Sequence, residues 1–271
     1  MITSNANAQV KAIRKLRDRK DRQQSGLFFA EGLRITGEAI ERGWEIETLV
    51  VAPELLVSDY GLQLVDGFHK HSGQVLEVSQ EVFRSVSGKE GPQGIAAVVR
   101  QRWEALETLV PGIHDRWVAL DSVADPGNLG TILRTHDAVG GQGVILLDQS
   151  TDPYDPSAIR ASMGAVFSQR LVKASFEEFS AWKQRHHFPL IGTSDKADED
   201  YHSFRYPSGL AVLMGSERHG LQPKHFALCD RVVRIPMIGR SDSLNLAVAT
   251  AVVLYEVFNQ QREQGLVSEL H

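Results

Sequence analysis

The stretch Asp125-Pro126-Gly127-Asn128-Leu129-Gly130-Thr131-Ile132-Leu133-Arg134-Thr135 follows an apolar run, Trp117–Leu120, and opens a helical pattern that continues to Val139. Asp-Pro-Gly-Asn is turn chemistry, and a strand–turn–helix order is the repeating unit of an α/β sheet. On this reading Asn128 caps a helix over Leu129–Val139 whose apolar side carries Leu129, Ile132, Leu133 and Val139. Capping and packing leave Arg134 unexplained. It lies one to two turns into the helix beside apolar neighbours, a place from which a guanidinium can hold a phosphate or another oxyanion.

Outward from this stretch, toward the C-terminus, the pattern repeats. Val144–Leu147, Leu190–Gly192, Leu210–Met214 and Val232–Ile235 are short apolar runs that read as buried strands. Pro156–Val166 and Phe176–His187 read as helices between them, and Leu244–Phe258 as a long apolar closing helix. Strands apolar on both faces and separated by helices imply a mostly parallel sheet. Ligands of such sheets bind beyond the carboxyl ends of strands, which directs attention to the segments after Leu120, Met214 and Ile235. The second segment, Met214-Gly215-Ser216-Glu217-Arg218-His219-Gly220-Leu221, has two glycines that permit close backbone approach to a ligand. It is not a Walker loop, because Leu221 stands where lysine is required. In the third, Ile235–Leu246, Ser243 is expected to cap the last helix, with Asn245 in its first turn among free backbone donors.

Toward the N-terminus the first hundred residues read as a smaller α/β module. A helix near Asn7–Arg22 precedes an apolar run at Leu27–Ala30, a helix over Glu31–Arg42 and strands at Ile46–Ala52, Val75–Val78 and Ile95–Val99. A further helix spans about Asp59–His71, and residues 87–94 form a glycine-rich loop. A charged helical segment, Arg102–Leu109, is broken by Pro111-Gly112. The expected division is a domain over 1–105, a linker over 106–113 and a second domain over 114–271. Lys11, Arg14, Lys15, Arg17, Arg19, Lys20 and Arg22 crowd the first helix, with Val10, Ile13 and Leu16 at helical spacing. That pattern gives one buried stripe and a basic outer face suited to a nucleic-acid backbone. The net charge of −5 does not exclude such a partner, since phosphate contacts depend on local charge.

Of the 271 residues, 42% are hydrophobic and 23% charged, the balance of a soluble globular protein. No apolar run reaches the roughly 18 to 20 residues a bilayer span needs. The N-terminus lacks the pattern of a secretory signal. Cys229 is the only cysteine, so an internal disulfide is impossible and a Cys-based zinc site is excluded. The His186-His187 pair and the near pair His69 and His71 lack partners at metal-ligand spacing and read as surface residues. No metal is expected, and a cytoplasmic location is.

In order and each after a strand, DPGNLGTILRT, LMGSERHGL and IPMIGRSDSLNLAVA resemble the three signature motifs of the SpoU/TrmH family of RNA ribose 2′-O-methyltransferases, in the SPOUT superfamily. The likeness covers roughly Arg116–Gln260. The N-terminal half, with VKAIRKLRDRK and GLFFAEG, resembles more loosely the ribosomal-protein-like substrate-binding domain often joined to it.

The resemblance implies a deep trefoil knot in the C-terminal sheet, which periodicity alone would not suggest. It implies S-adenosylmethionine as cofactor, held near Gly215, Ile235 and Leu244 with Met214 and Met237 beside them and Thr193 on the adenine side. It also implies attack by an RNA ribose 2′-OH on the methyl group, with Arg134 nearest the departing proton. An arginine of pKa above about 12 is a poor base. Arg134 is therefore read as orienting the hydroxyl and stabilising developing alkoxide, with Glu217 as the competing proton acceptor. Asn128 would hold the first loop and its arginine, and Ser243 and Asn245 would lie near substrate and cofactor. The resemblance further implies a homodimer. By analogy, the separate N-terminal domain points to a structured RNA target, 23S ribosomal RNA, with transfer RNA as the alternative. A non-catalytic RNA-binding or ribosome-assembly protein would lack Arg134, Asn128 or the loop glycines, and a small-molecule methyltransferase would not need the basic helix. His136, Arg218 and His219 depart from the usual motifs and are read as packed or solvent-exposed.

Overall fold

The structure, a computed structural model, describes residues 1–70, 73–88 and 90–266. The strands are β1 (Leu27–Glu31), β2 (Ile46–Val51), β3 (Val75–Glu77), β4 (Ile95–Arg100), β5 (Arg116–Asp121), β6 (Gly143–Leu147), β7 (Arg170–Ala174), β8 (Leu190–Thr193), β9 (Glu199–Asp200), β10 (Leu210–Met214) and β11 (Arg231–Arg234). The helices are α1 (Ala8–Lys15), α2 (Arg19–Ser25), α3 (Leu33–Glu41), α4 (Asp59–Lys70), α5 (Gln80–Val86), α6 (Pro126–Ala138), α7 (Pro156–Ser162), α8 (Phe176–His186), α9 (Pro223–Leu228) and α10 (Leu246–Glu263). His71 lies outside the described residues.

The chain forms two compact units. One holds Met1–Arg102 together with Asp152–Ser168, the other Trp103–Thr151 and Gln169–His271. The first unit is built on a four-stranded sheet of order β1-β4-β2-β3, in which only β2 and β3 run parallel. Val10, Ile13 and Leu16 pack over this sheet against Val82, Phe83 and Val98, the buried stripe that the spacing predicts. The basic segment is not one helix, however. Leu16–Asp18 interrupts it, and Asp18 precedes a new start at Arg19.

Arg22, expected to face RNA, is 1% exposed. Its Nε donates to Asp152 at 2.8 Å and a terminal nitrogen donates to Asp155 at 3.3 Å, while the other donates to the carbonyls of Leu16 and Arg17. The guanidinium is consumed inside the protein, because an unpaired buried charge would be far costlier than these bonds. Arg14 and Arg17 also reach inward, to Ser85 and to the carbonyls of Ser85 and Ser87. Lys11, Lys15, Arg19 and Lys20 keep exposed positions.

Asp152–Ser168 joins the first unit although it follows β6 in the chain. Tyr154 and Phe167 pack against Phe28 and Trp44 there, with ring centroids 4.6 to 6.5 Å apart. Helix α7 ends at Ser162, earlier than the helical reading of Pro156–Val166, because Met163 adopts a left-handed conformation with φ of 52°. Arg102–Leu109 forms only a short 3-10 turn at Leu106–Thr108.

The second unit contains a seven-stranded sheet of order β7-β6-β5-β10-β8-β11-β9, every pair parallel. Strands β5, β6 and β10 are buried along their whole length, as continuous apolar runs require. A polar side chain also lies in this interior. His136 is fully buried, with Nδ1 2.7 Å from Gln169 Oε1 and Nε2 3.1 Å from the Arg116 carbonyl. Of the two readings the sequence allows, packed or solvent-exposed, the structure shows the packed one. Helix α10 packs along α6.

Candidate active site

The loop after β5 begins with Ser122 at φ 52°, a sharp exit from the strand. Helix α6 then starts at Pro126, three residues before the predicted start. Proline suits the first helical position, and Asp125, not Asn128, is the cap: its Oδ1 accepts from Asn128 N at 2.8 Å. This frees the Asn128 side chain. Its Nδ2 donates to Glu217 Oε1 at 3.3 Å, and its Oδ1 accepts from Asn245 Nδ2 at 3.0 Å. Three loops that lie far apart in sequence thus meet through one amide.

Glu217 fastens the second loop to the first. Its Oε2 accepts from Ala124 N at 3.0 Å, and its Oε1 also accepts from Asp125 N at 3.2 Å. Partial burial pushes this carboxyl up, but the backbone N–H groups and the Asn128 amide outweigh it and hold the pKa below the ordinary carboxylate value. The loop is itself closed by the Ser216↔Gly220 bridge. A Cβ on Gly215 would collide with the backbone of Gly220, so only glycine fits at the turn. Arg218 and His219 are exposed.

In the third loop Asn245, not Ser243, caps α10, accepting from Ala247 N at 2.9 Å and Val248 N at 3.3 Å. The helix accordingly begins at Leu246. Ser243 bonds only its neighbour Asp242 at 3.2 Å and does not join the Glu217–Asn128–Asn245 chain. Ile235 is half-buried, whereas Met237 and Leu244 are 37% and 39% exposed.

Arg134 is exposed on α6. Helical spacing aligns it with Gly127, Gly130 and Thr131, a face of small side chains that leaves room for a bulky anionic ligand. Among the described residues, no group of His, Cys, Asp and Glu is arranged to hold a metal ion, and no helix is long and apolar enough to cross a membrane.

Residues 115–255 match the model of the SpoU rRNA Methylase family, and residues 7–97 match an MRM3-like substrate binding domain. The chain belongs to the SpoU rRNA methylase family. It is 30% identical to the 23S rRNA (uridine(2479)-2′-O)-methyltransferase of Streptomyces viridochromogenes, over 91% of this chain and 87% of that protein. It is 28% identical to the 23S rRNA (guanosine(2553)-2′-O)-methyltransferase RlmP of Bacillus subtilis, over 94% and 98%. The AdoMet-bound rRNA methyltransferase of Sinorhizobium meliloti superposes with a TM-score of 0.88 at 37% identity, covering 98% of both chains.

S-adenosylmethionine is the cofactor of this family, and one feature of the SpoU unit fits it. The Thr193 hydroxyl, at the carboxyl end of β8, is buried without a hydrogen-bond partner. Gly192 before it lies so close to Cys229 and Leu221 that a Cβ would stand 2.8 Å from each. An unsatisfied buried hydroxyl beside a tightly packed strand end suits a polar ligand group. Two features of this site escaped the sequence reading: the Asp125 cap, which Pro126 signals, and the close approach of buried His225 to Asp121, at 3.6 Å, which no spacing signals.

Proposed function

We propose that this protein transfers a methyl group from S-adenosylmethionine to a ribose 2′-OH of 23S ribosomal RNA. The observation that carries the reading is the bond chain Glu217–Asn128–Asn245, which ties the three motif loops together beside the helix bearing Arg134. Family membership and the activities printed for its relatives support it. Transfer RNA is the alternative target, without a specific observation in its favour.

Bound S-adenosylmethionine supplies the electrophilic methyl group. Thr193, Met214, Gly215, Ile235, Met237 and Leu244 are the residues that would hold it. Arg134 orients the ribose hydroxyl and stabilises the charge growing on its oxygen, helped by the RNA's own phosphate. Glu217 is a positioning residue: its oxygens already take three donors from the first loop and hold its pKa down, so it is a weak acceptor for the hydroxyl proton. Asn128 and Asn245 maintain the loop junction, and Ser243 borders it. In the first unit Lys11, Lys15, Arg19 and Lys20 attract the RNA backbone, with Arg14 and Arg17 as fixed contributors.

The trefoil knot, a homodimer and a cytoplasmic location belong to the same proposal. Exposed Ile238, Leu244, Val248 and Tyr255 support pairing through the third loop and α10. Light scattering at micromolar concentration should give a dimer mass, and a monomer mass would refute pairing. The test of function is methyl transfer from labelled cofactor to total RNA from a strain lacking this protein, followed by mapping of the modified nucleotide. A labelled 2′-O-methyl in 23S RNA is expected; label in transfer RNA alone, or none, would overturn the assignment.

A further inference from the structure

The loop between β10 and α9 is anchored to the loop after β5 at its outer end through Glu217. At its inner end a second contact is poised but not made. His225, on α9, is fully buried. Its Nδ1 accepts from Gln222 N at 2.8 Å, so the proton of the neutral ring is on Nε2. That nitrogen has no hydrogen-bond partner and points to Asp121 Oδ2, 3.6 Å away. Asp121 is the last residue of β5, 7% exposed, and directly precedes the motif-bearing loop.

The surroundings keep the ring neutral and in place. Phe176 meets it edge-on at a centroid distance of 5.0 Å. Lys224 lies over the Phe176 ring, and its ammonium reaches Asp148, which also accepts from Phe176 N. Burial lowers the His225 pKa most, Asp121 opposes that, Lys224 reinforces it and Asp148 opposes it, with the net shift downward.

A buried N–H aimed at a carboxylate just beyond bonding range is a contact awaiting closure. A movement of about 0.7 Å would bring the pair to an ordinary N–H···O distance. The Gly215–Gly220 turn is bridged across its ends and leaves no room for a Cβ at Gly215, which ties its two arms to each other.

We propose that His225 is a positioning residue for cofactor binding: S-adenosylmethionine closes the His225–Asp121 contact, and the closed contact holds the Met214–Leu221 backbone in its binding conformation. The inference rests on the reading above that this loop holds the cofactor. By linkage, a ligand that favours the closed form must bind less tightly once the contact is removed.

Two substitutions separate this role from helix capping. His225→Asn keeps an acceptor near the Nδ1 position for Gln222 N but does not reach Asp121. His225→Gln reaches Asp121 but not the cap. The measurements are calorimetric S-adenosylmethionine affinity without RNA, thermal midpoints, and the Nε2–H proton resonance of histidine-labelled wild-type protein. With cofactor, the resonance should move downfield and exchange more slowly. His225→Asn should bind cofactor about 10-fold more weakly at a nearly unchanged midpoint, and His225→Gln should recover most of the affinity. Wild-type affinity in His225→Asn, or a resonance indifferent to cofactor, would overturn the proposal. Wild-type protein that binds no S-adenosylmethionine would instead overturn the functional reading on which it rests.

Discussion

Arg134 and Glu217 are separated by what surrounds them. Arg134 stands exposed on its helix with its charge available, whereas Glu217 is spent on three donors. Arg134→Ala should lower the single-turnover methylation rate by about 10²-fold or more, the scale of a missing oxyanion donor. Arg134→Lys should recover part of it, because a lysine keeps the charge but not the planar fork. Glu217→Gln should slow the reaction through a looser loop while leaving the acid limb of the pH–rate profile in place; loss of that limb would identify Glu217 as the base. The sign of its titration agrees, since a carboxyl with a depressed pKa keeps its bonds at neutral pH and releases them only well into acid. His136 works at the same scale with a measurable cost. Burial, opposed by the Gln169 and Arg116 bonds, takes its pKa from 6.5 to about 4. The unfolded chain therefore binds a proton that the native protein refuses. Stability should be complete above pH 6.5 and fall as pH drops toward 4, by on the order of 3 kcal/mol, and His136→Gln should flatten that slope in urea titrations.

At the level of elements, long apolar runs were the readable part. β5, β6 and β10 occur where a two-sided buried strand must be continuous, and Val10, Ile13 and Leu16 mark α1 because one face of it is covered. Helix ends were less readable, because Asp125 competes with Asn128, and Ser243 with Asn245, for the same capping role. In the first case Pro126 decides, since its fixed φ and missing N–H favour the first helical position. In the second the deciding fact is tertiary. Asn245 can cap α10 and reach Asn128 at once, a pairing across 117 residues that no local pattern encodes. The same limit hid the approach of His225 to Asp121, whose side chains lie 3.6 Å apart in the fold although far apart in the chain. Asn245→Ala should cost about 1 kcal/mol from the cap alone. It should also weaken methylation beyond what Ser243→Ala does, and equal effects of the two would disprove the difference in their roles.

For the whole molecule, the cations of the N-terminal basic segment divide into exposed ones, which the proposed function places against RNA, and buried structural ones. Replacing Lys11, Lys15 or Lys20 by Ala should weaken RNA binding and flatten its salt dependence, by roughly one unit of log–log slope for each phosphate no longer neutralised, with little change in stability. Arg22→Ala should do the reverse: it strands Asp152 and should destabilise the protein by about 3 to 5 kcal/mol in urea unfolding. In the sequence all these cations look alike, because burial of a guanidinium depends on acids 130 residues away.

Those acids stand on Asp152–Ser168, the segment that the first unit takes from the middle of the second. The polypeptide consequently passes between the units three times, at 102–103, 151–152 and 168–169. A graft made at the first passage alone would carry Phe28 and Trp44 into its new host with their apolar faces bare, and Arg22 without its counter-ions. The first unit of this chain can therefore be moved intact only as two pieces of chain at once, and a transplant made of residues 1–102 alone should be less stable and less soluble than one that also carries residues 152–168.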